Sequence, residues 1–256
     1  MSRLIRALLV GLLSVTSLSS CFADVSATVN VSGTQHDTDV VFSGYASPDA
    51  FITVLDGASV VGTVSADAAG VFSKTLTNQT AGSHSFGLSA IDGAGVSTSQ
   101  INVLLSLQPN AETTVSDILM PPTITELAGP RPGMHGSATP NTEITLFVSP
   151  DGFTESATTD AGGAWSHTFS TPLPAGSRSA YAVASTQGGL VSSASSTVTF
   201  NVTCAVADYD CSGRVDIVDF SVLMYYWGTN DPTADTNGDG IIDLTDFSIM
   251  MYYWNG

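Results

Sequence analysis

The sequence predicts a mainly β protein, with two tandem β-sandwiches over residues 24–107 and 120–203, a linker at 108–119, and a small α-helical tail at 204–256. Three observations predict it. A unit of about ninety residues occurs twice in the first two hundred positions. Each copy is built of short β-branched or alternating runs separated by Gly, Pro, Asp and Asn. From Cys204 onward Asp becomes dense, and aromatic and Met residues replace Ser and Thr.

The N-terminus reads as an export signal over residues 1–23, with Arg3 and Arg6 ahead of an apolar stretch from Ala7 to Val15 and small residues ending at Ala23. Cleavage after Ala23 frees a soluble protein. Leu18-Ser19-Ser20-Cys21 also resembles a bacterial lipobox, which would leave Cys21 lipidated at the cell surface. The apolar stretch is shorter than the roughly 20 residues a membrane-spanning helix needs, and no other segment approaches that length. A secreted or cell-surface protein without a transmembrane helix is expected. Only six Lys and Arg stand against 23 Asp and Glu, so no basic surface is available for a nucleic-acid backbone. Beyond Cys21, Cys204 and Cys211 remain, and in an oxidising compartment they are expected to form a disulfide.

The repeat is legible at four ordered places. Gly44-Tyr45-Ala46-Ser47-Pro48-Asp49 matches Gly136-Ser137-Ala138-Thr139-Pro140-Asn141, and Ile52-Thr53-Val54 matches Ile144-Thr145-Leu146, both at an offset of 92. Asp67-Ala68-Ala69-Gly70-Val71-Phe72 matches Asp160-Ala161-Gly162-Gly163-Ala164-Trp165 at 93, and Ala81-Gly82-Ser83 matches Ala175-Gly176-Ser177 at 94. Small loop insertions account for the drift. Phe72 and Trp165 follow a Gly-containing turn, where an inward aromatic would anchor a sandwich core. Several short strands in such a span point to two packed sheets.

These turns resemble those of bacterial immunoglobulin-like modules over residues 25–203, without the inter-sheet cysteines of antibody domains. Such modules serve most often as spacers, and sometimes as adhesive or carbohydrate-binding units. No catalytic constellation stands out. His36, His84, His135 and His167 are scattered, and no Gly-x-Ser-x-Gly or phosphate-cradling motif is present. Asp92-Gly93 and Asp151-Gly152 read as turns. The chain is not expected to be an enzyme.

In the tail, Asp208-Tyr209-Asp210-Cys211-Ser212-Gly213-Arg214-Val215-Asp216-Ile217-Val218-Asp219 aligns with Asp235-Thr236-Asn237-Gly238-Asp239-Gly240-Ile241-Ile242-Asp243-Leu244-Thr245-Asp246 at an offset of 27. Calcium takes six to eight oxygen ligands in a flexible shell, which a twelve-residue EF-hand loop supplies. Positions 1, 3 and 5 bring Asp208, Asp210 and Ser212, or Asp235, Asn237 and Asp239. Position 7 adds the carbonyl of Arg214 or Ile241, position 9 is Asp216 or Asp243, and position 12 is Asp219 or Asp246. Gly213 and Gly240 allow the sharp turn at position 6. Two Ca2+ ions are expected, with the Ser212 loop the weaker. Val215 and Ile242 at position 8 are apolar, as suits paired loops running side by side. A helix should follow each loop, with Phe220, Leu223, Met224 and Trp227 on one apolar face, repeated by Phe247, Met250, Met251 and Trp254. Both tryptophans are expected in the core. Residues 204–256 carry nine acids and one Arg, a charge of −8 that two calcium ions would reduce to −4. Folding of so small and acidic a unit should therefore depend on metal.

A loop-plus-helix duplicated in this way, closing on Asp and lacking a preceding helix, resembles a type I dockerin over about residues 208–255. The resemblance implies a small paired EF-hand module that docks onto a cohesin-like partner, most often in polysaccharide-degrading assemblies. It implies contacts from Ile217, Val218, Leu244 and Thr245 in the loops and from Met224, Tyr225, Met251 and Tyr252 on the helices. The Ser-Thr and Lys-Arg choices common at those places are absent, which separates this surface from the familiar cellulosomal pairings. Two other readings stay open. The sandwiches could bind a glycan or another cell, with the tail a stabilising cap. Alternatively, the chain could be a sugar-binding accessory to a glycoside hydrolase.

Overall fold

A computed structural model describes residues 26–30, 38–127, 133–150, 152–169, 173 and 176–256. The segment read as an export signal, including Cys21, lies outside these residues, as do His36, Asp151 and Ala175. The described residues are mainly β, with two short helices near the C-terminal end. Among the described residues no helix is long and apolar enough to cross a membrane.

The first sandwich contains β1 (Ser26–Asn30), β2 (Asp39–Tyr45), β3 (Phe51–Asp56), β4 (Ser59–Ser65), β5 (Val71–Leu76), β6 (Gly82–Ile91), β7 (Ile101–Leu107) and β8 (Glu112–Leu119). Its sheets run β1-β8-β2-β5 and β4-β3-β6-β7. The second contains β9 (Thr125–Leu127), β10 (Gly133–Ser137), β11 (Glu143–Ser149), β12 (Phe153–Thr158), β13 (Ala164–Thr168), β14 (Gly176–Ser185) and β15 (Val198–Val202), in sheets β13-β10-β9 and β12-β11-β14-β15. Strands β2 to β7 and β10 to β15 correspond one for one and stand in the same order, so the sequence repeat is a repeat of topology. The order is that of an immunoglobulin-type sandwich. Alternation explains the cores. Val40, Phe42, Ile52, Val54, Phe72, Phe86 and Leu88 fill the first, and Ile144, Leu146, Trp165, Ala182 and Phe200 the second.

The repeated signatures are turn requirements. Asp67 Oδ1 accepts the Ala69 and Val71 amides at 2.9 and 2.8 Å, and Asp160 Oδ1 those of Gly162 and Ala164 at 2.8 and 2.9 Å. Gly70 and Gly163 follow at φ +80° and +78°, a conformation that favours glycine. Gly44 and Gly136 serve closeness instead. A Cβ there would stand 2.0 Å from the Ile118 and Thr123 carbonyl oxygens respectively.

The expected linker at 108–119 is corrected. Glu112–Leu119 is β8, which enters the first sandwich between β1 and β2 and runs parallel to β2. Its partners step from Phe42 to Gly44 while β8 steps from Val115 to Ile118, with Asp117 at φ +60° in the extra position. This bulge changes which residues face inward, from Thr113 and Val115 to Ile118. The break in alternation is why the strand reads as linker in the sequence. Beyond it, Leu119 packs in the second core and Met120 in the first, leaving no free tether between the sandwiches.

The two sandwiches meet through equivalent turns. Pro48 of the first sits against Gly163 of the second, and Pro140 of the second against Gly70 of the first, at 2.6 and 3.2 Å from where a Cβ would stand. Thr123 donates to the buried Asp92 carboxylate at 2.6 Å, and the Ser99 hydroxyl donates to the Ala194 carbonyl. Pro meets Gly in both directions, so the seam is a local pseudo-two-fold.

In the tail, α1 (Ile217–Tyr225) and α2 (Leu244–Tyr253) pack around Ala207, Val215, Leu223, Ala234, Ile242 and Met250. This third core shares no residue with the other two. The expected helical faces need correction. α1 ends at Tyr225, so Trp227 falls beyond the helix and is exposed, whereas Trp254 does pack on the core. Leu223 and Met250 are buried, but Met224 and Met251 turn outward.

Candidate metal centre and docking face

Each loop is organised by its acids. In the first, Asp208 at position 1 accepts the Ser212 and Gly213 amides, both at 2.9 Å, and Asp210 also accepts Ser212 at 2.9 Å. Asp219 at position 12 accepts the Tyr209, Asp210 and Asp216 amides at 2.7, 3.2 and 2.9 Å. The second loop repeats this. Asp235 accepts Gly238, Asp239 and Gly240 at 2.8, 3.2 and 2.9 Å, and Asp246 accepts Thr236, Asn237 and Asp243 at 2.8, 3.2 and 2.9 Å. Asn237 Oδ1 accepts the Asp239 amide, while its Nδ2 donates to Asp239 Oδ2, each at 2.9 Å. Asp239 Oδ1 in turn accepts the Ile241 amide at 3.0 Å.

Asp216 and Asp243 at position 9 cap the helices. Their carboxylates accept the Val218 and Thr245 amides at 2.8 and 2.7 Å, and Asp219 and Asp246 complete capping boxes from the third helical position. These acids also lie at the positive ends of the helix dipoles. Ser212 Oγ donates to the Arg214 carbonyl at 3.4 Å, so the fifth and seventh positions converge.

The structure brings oxygens of Asp208, Asp210 and Asp219 within 4.8 Å of one another. Asp208 is 2% exposed, and Asp219 and Asp246 are 0% exposed. Burial pushes the Asp208 carboxyl above the usual range against the pull of the Gly213 amide, and the neighbouring charge of Asp219 pushes the same way. The one base in residues 204–256, Arg214, is exposed. Buried carboxylates so close together repel unless a cation shares them. An all-oxygen set of this kind suits a hard cation such as calcium.

The position-8 residues do not pair with each other, which corrects the expectation of loops joined there. The Ile242 amide donates to the Thr229 carbonyl at 2.9 Å and its carbonyl accepts Gly228 at 2.8 Å. The Val215 amide donates to the Asn255 side chain at 2.9 Å and its carbonyl accepts the Asn255 amide at 3.1 Å. Each loop is therefore clasped by the segment that follows the other loop's helix. What joins the loops is a pair that the ligand pattern does not single out. Tyr209 Oη lies 2.7 Å from Thr236 Oγ1, both at position 2. Burial raises the Tyr209 phenol against that bond, and the charges of Asp246 and Asp219 add to the shift. Cys204 and Cys211 are bonded, with Cα atoms 4.7 Å apart, tying the approach to the first loop.

Outside the core, the residues taken as partner contacts form a duplicated exposed set. Ile217 and Leu244, Val218 and Thr245, and Met224 and Met251 are all exposed, and Tyr225 and Tyr252 are 80% and 82% exposed. Equivalent positions of the two halves thus present similar chemistry, with Phe220 and Phe247 packed edge to face between the helices at 5.8 Å.

The sandwiches hold a histidine in catalytic-looking company. His84 Nδ1 lies 2.6 Å from Asp56 Oδ2, and its Nε2 lies 3.3 Å from Thr80 Oγ1. Nε2 also faces the Thr80 carbonyl at 2.8 Å. Acceptors at both nitrogens favour the doubly protonated ring, which has no lone pair to act as a base. His167 pairs with Glu155 at 2.5 Å. The Asp92 carboxylate holds its own turn, accepting Ala94 and Val96 at 2.9 and 2.8 Å.

No protein-family model matches the chain, and no curated protein matches it. Among solved structures it is similar to the BSP domain of a biofilm-associated protein, at 20% identity and a TM-score of 0.29, covering 67% of this chain and 28% of that one. It is similar to fibronectin(III)-like modules of Clostridium thermocellum CbhA at 12% identity and a TM-score of 0.23, covering 70% and 94%. A tetra-tandem repeat in the extending region of a large adhesion protein gives 19% identity and a TM-score of 0.27, covering 64% and 49%. The chain thus spans 28% of the biofilm-associated chain it matches.

Proposed function

We propose that this chain is a non-catalytic exported protein whose tail folds around two calcium ions and docks onto a cohesin-like partner at the cell surface or outside the cell. The observation that carries the reading is the pair of equivalent acid loops, each closed on a buried position-12 aspartate with no basic partner. Asp208, Asp210, Ser212, Asp219 and the Arg214 carbonyl would hold one ion. Asp235, Asn237, Asp239, Asp246 and the Ile241 carbonyl would hold the other. Asp216 and Asp243, engaged as helix caps, would act through water. Bound calcium supplies positive charge that turns mutually repelling carboxylates into ligands. With the loops ordered, α1 and α2 hold Tyr225 and Tyr252 outward beside the methionines, an apolar set suited to a partner surface. The part in polysaccharide breakdown rests on the dockerin resemblance alone.

Calorimetric titration of the metal-depleted full chain tests the metal reading. Two calcium ions per chain are expected, and no binding at millimolar calcium overturns it. Docking is tested separately with purified cohesin-type modules. Binding should require calcium and fall at least tenfold in a Tyr225→Ala, Tyr252→Ala double variant. If the calcium-loaded chain binds none of them, the tail is a stabilising cap and the adhesive reading takes over.

A further inference from the structure

Two ion-binding loops in one small module can fill independently or together, and what connects them decides which. Here the backbones of the two position-8 residues are each spent on a different segment. The direct polar link between the loops is side chain to side chain, from Tyr209 Oη to Thr236 Oγ1 at 2.7 Å. Tyr209 Oη lies 3.4 Å from the Ala234 carbonyl and Thr236 Oγ1 3.3 Å from it, so that carbonyl accepts from the hydroxyl pair and either hydroxyl can donate to the other. Position 2 of one loop therefore meets position 2 of the other on the pseudo-two-fold axis. The same two residues hold the closing ligands. The Tyr209 amide donates to Asp219 at 2.7 Å and the Thr236 amide to Asp246 at 2.8 Å. One unbroken path runs from the position-12 carboxylate of the first loop to that of the second.

We propose that the Tyr209–Thr236 hydrogen bond couples the two loops, so that an ion in either one raises the affinity of the other. The inference rests on the calcium reading above. Ordering one closing aspartate fixes its position-2 amide, and the bridge carries that order across the axis. Filling the second loop then costs less conformational entropy. A single neutral hydrogen bond supports a rise of about 2- to 12-fold in the second binding step relative to uncoupled loops.

The test is calcium titration of the full chain, comparing wild type with Tyr209→Phe, Thr236→Val and Thr236→Ser. Wild type should bind two ions, and its ratio of second to first step is the reference, because the Ser212 loop is the weaker site on its own. Tyr209→Phe keeps the ring against the core and loses only the hydroxyl. It should still bind two ions, but with the second step weakened relative to the first by about 2- to 12-fold against wild type, as should Thr236→Val. Thr236→Ser keeps the hydroxyl and should retain the coupling, a rescue that loss of packing would not produce. An unchanged ratio of the two steps in both Tyr209→Phe and Thr236→Val overturns the proposal while leaving two-site binding intact. Absence of calcium binding in wild type instead removes the reading on which it rests. If Tyr209→Phe fails to fold, the Thr236→Val and Thr236→Ser pair decides.

Discussion

Asp219 and Asp246 each satisfy three backbone amides from complete burial, a heavier duty than their place at the end of a ligand pattern suggests. Replacing Asp219 by Ala would orphan three amides, at about 1–3 kcal/mol for each that stays buried and unpaired. The tail of Asp219→Ala should lose its fixed tertiary structure, read as loss of the tyrosine and tryptophan near-ultraviolet circular dichroism, even in saturating calcium. Asp219→Asn keeps acceptor oxygen and should lose less. At Gly44 and Gly136 the constraint is steric. Gly136→Ala would drive a Cβ to 2.0 Å from the Thr123 carbonyl and should cost about 1–3 kcal/mol in denaturant unfolding. Gly93→Ala, with nothing within 4 Å, is the matched control and should be close to neutral. The acid-loop spacing and the turn glycines were legible because each is a local demand on a few consecutive residues. The bridge from Tyr209 to Thr236 was not, since nothing in position 2 of either loop announces that the two meet.

At the scale of elements, β6 and the end of β3 are joined by His84 and Asp56. Burial disfavours the charged ring, but the Asp56 hydrogen bond, the Thr80 carbonyl and the Asp56 charge outweigh it, and the His84 pKa is raised. A raised folded value means this pair's stabilisation is complete below the ordinary histidine value near about 6.5 and is lost as pH rises through the folded one. The stability advantage of wild type over His84→Gln should therefore shrink as unfolding is measured at increasing pH from 6 to 8. An advantage independent of pH would remove the charged state from the account. β8 shows the opposite balance of legibility. Its neighbour in the sheet is β2, some seventy positions earlier, and the bulge at Asp117 hides the alternation that would have marked it as a strand. The helices were legible through their spacing, but their ends were not. α1 stops at Tyr225, and so the apolar series that runs on to Trp227 in sequence does not continue in space.

For the whole molecule, the cores divide the chain unequally. The two sandwiches are joined by β8, by the reciprocal contacts of Pro48 with Gly163 and Pro140 with Gly70, and by the buried Thr123–Asp92 bond. They should scatter X-rays as one compact pair and unfold together. Thr123→Val strips the buried Asp92 oxygen of its donor, at about 1–3 kcal/mol. It should split or broaden that transition. The tail shares no core with them, so chelator should lower the tail transition in calorimetry and leave the sandwich transition in place. A seam that matches Pro to Gly in both directions closes on itself. The contact between these repeats thus differs from that of a head-to-tail array, in which each module meets the next through a different surface.

The sequence by itself determined the repeated sandwich unit, the pair of equivalent acid loops, and the helix that follows each loop. All of these are written in spacings of at most a dozen residues, where covalent geometry limits what a turn, a strand or an oxygen cage can be. Only the tertiary structure decided that residues 112–119 form a strand of the first sandwich, that the two repeats face each other across a pseudo-two-fold seam, and that the acid loops touch through Tyr209 and Thr236 instead of Val215 and Ile242. Those outcomes join residues tens of positions apart. They depend on which surfaces fit and which buried polar groups find partners, and no local pattern encodes that choice.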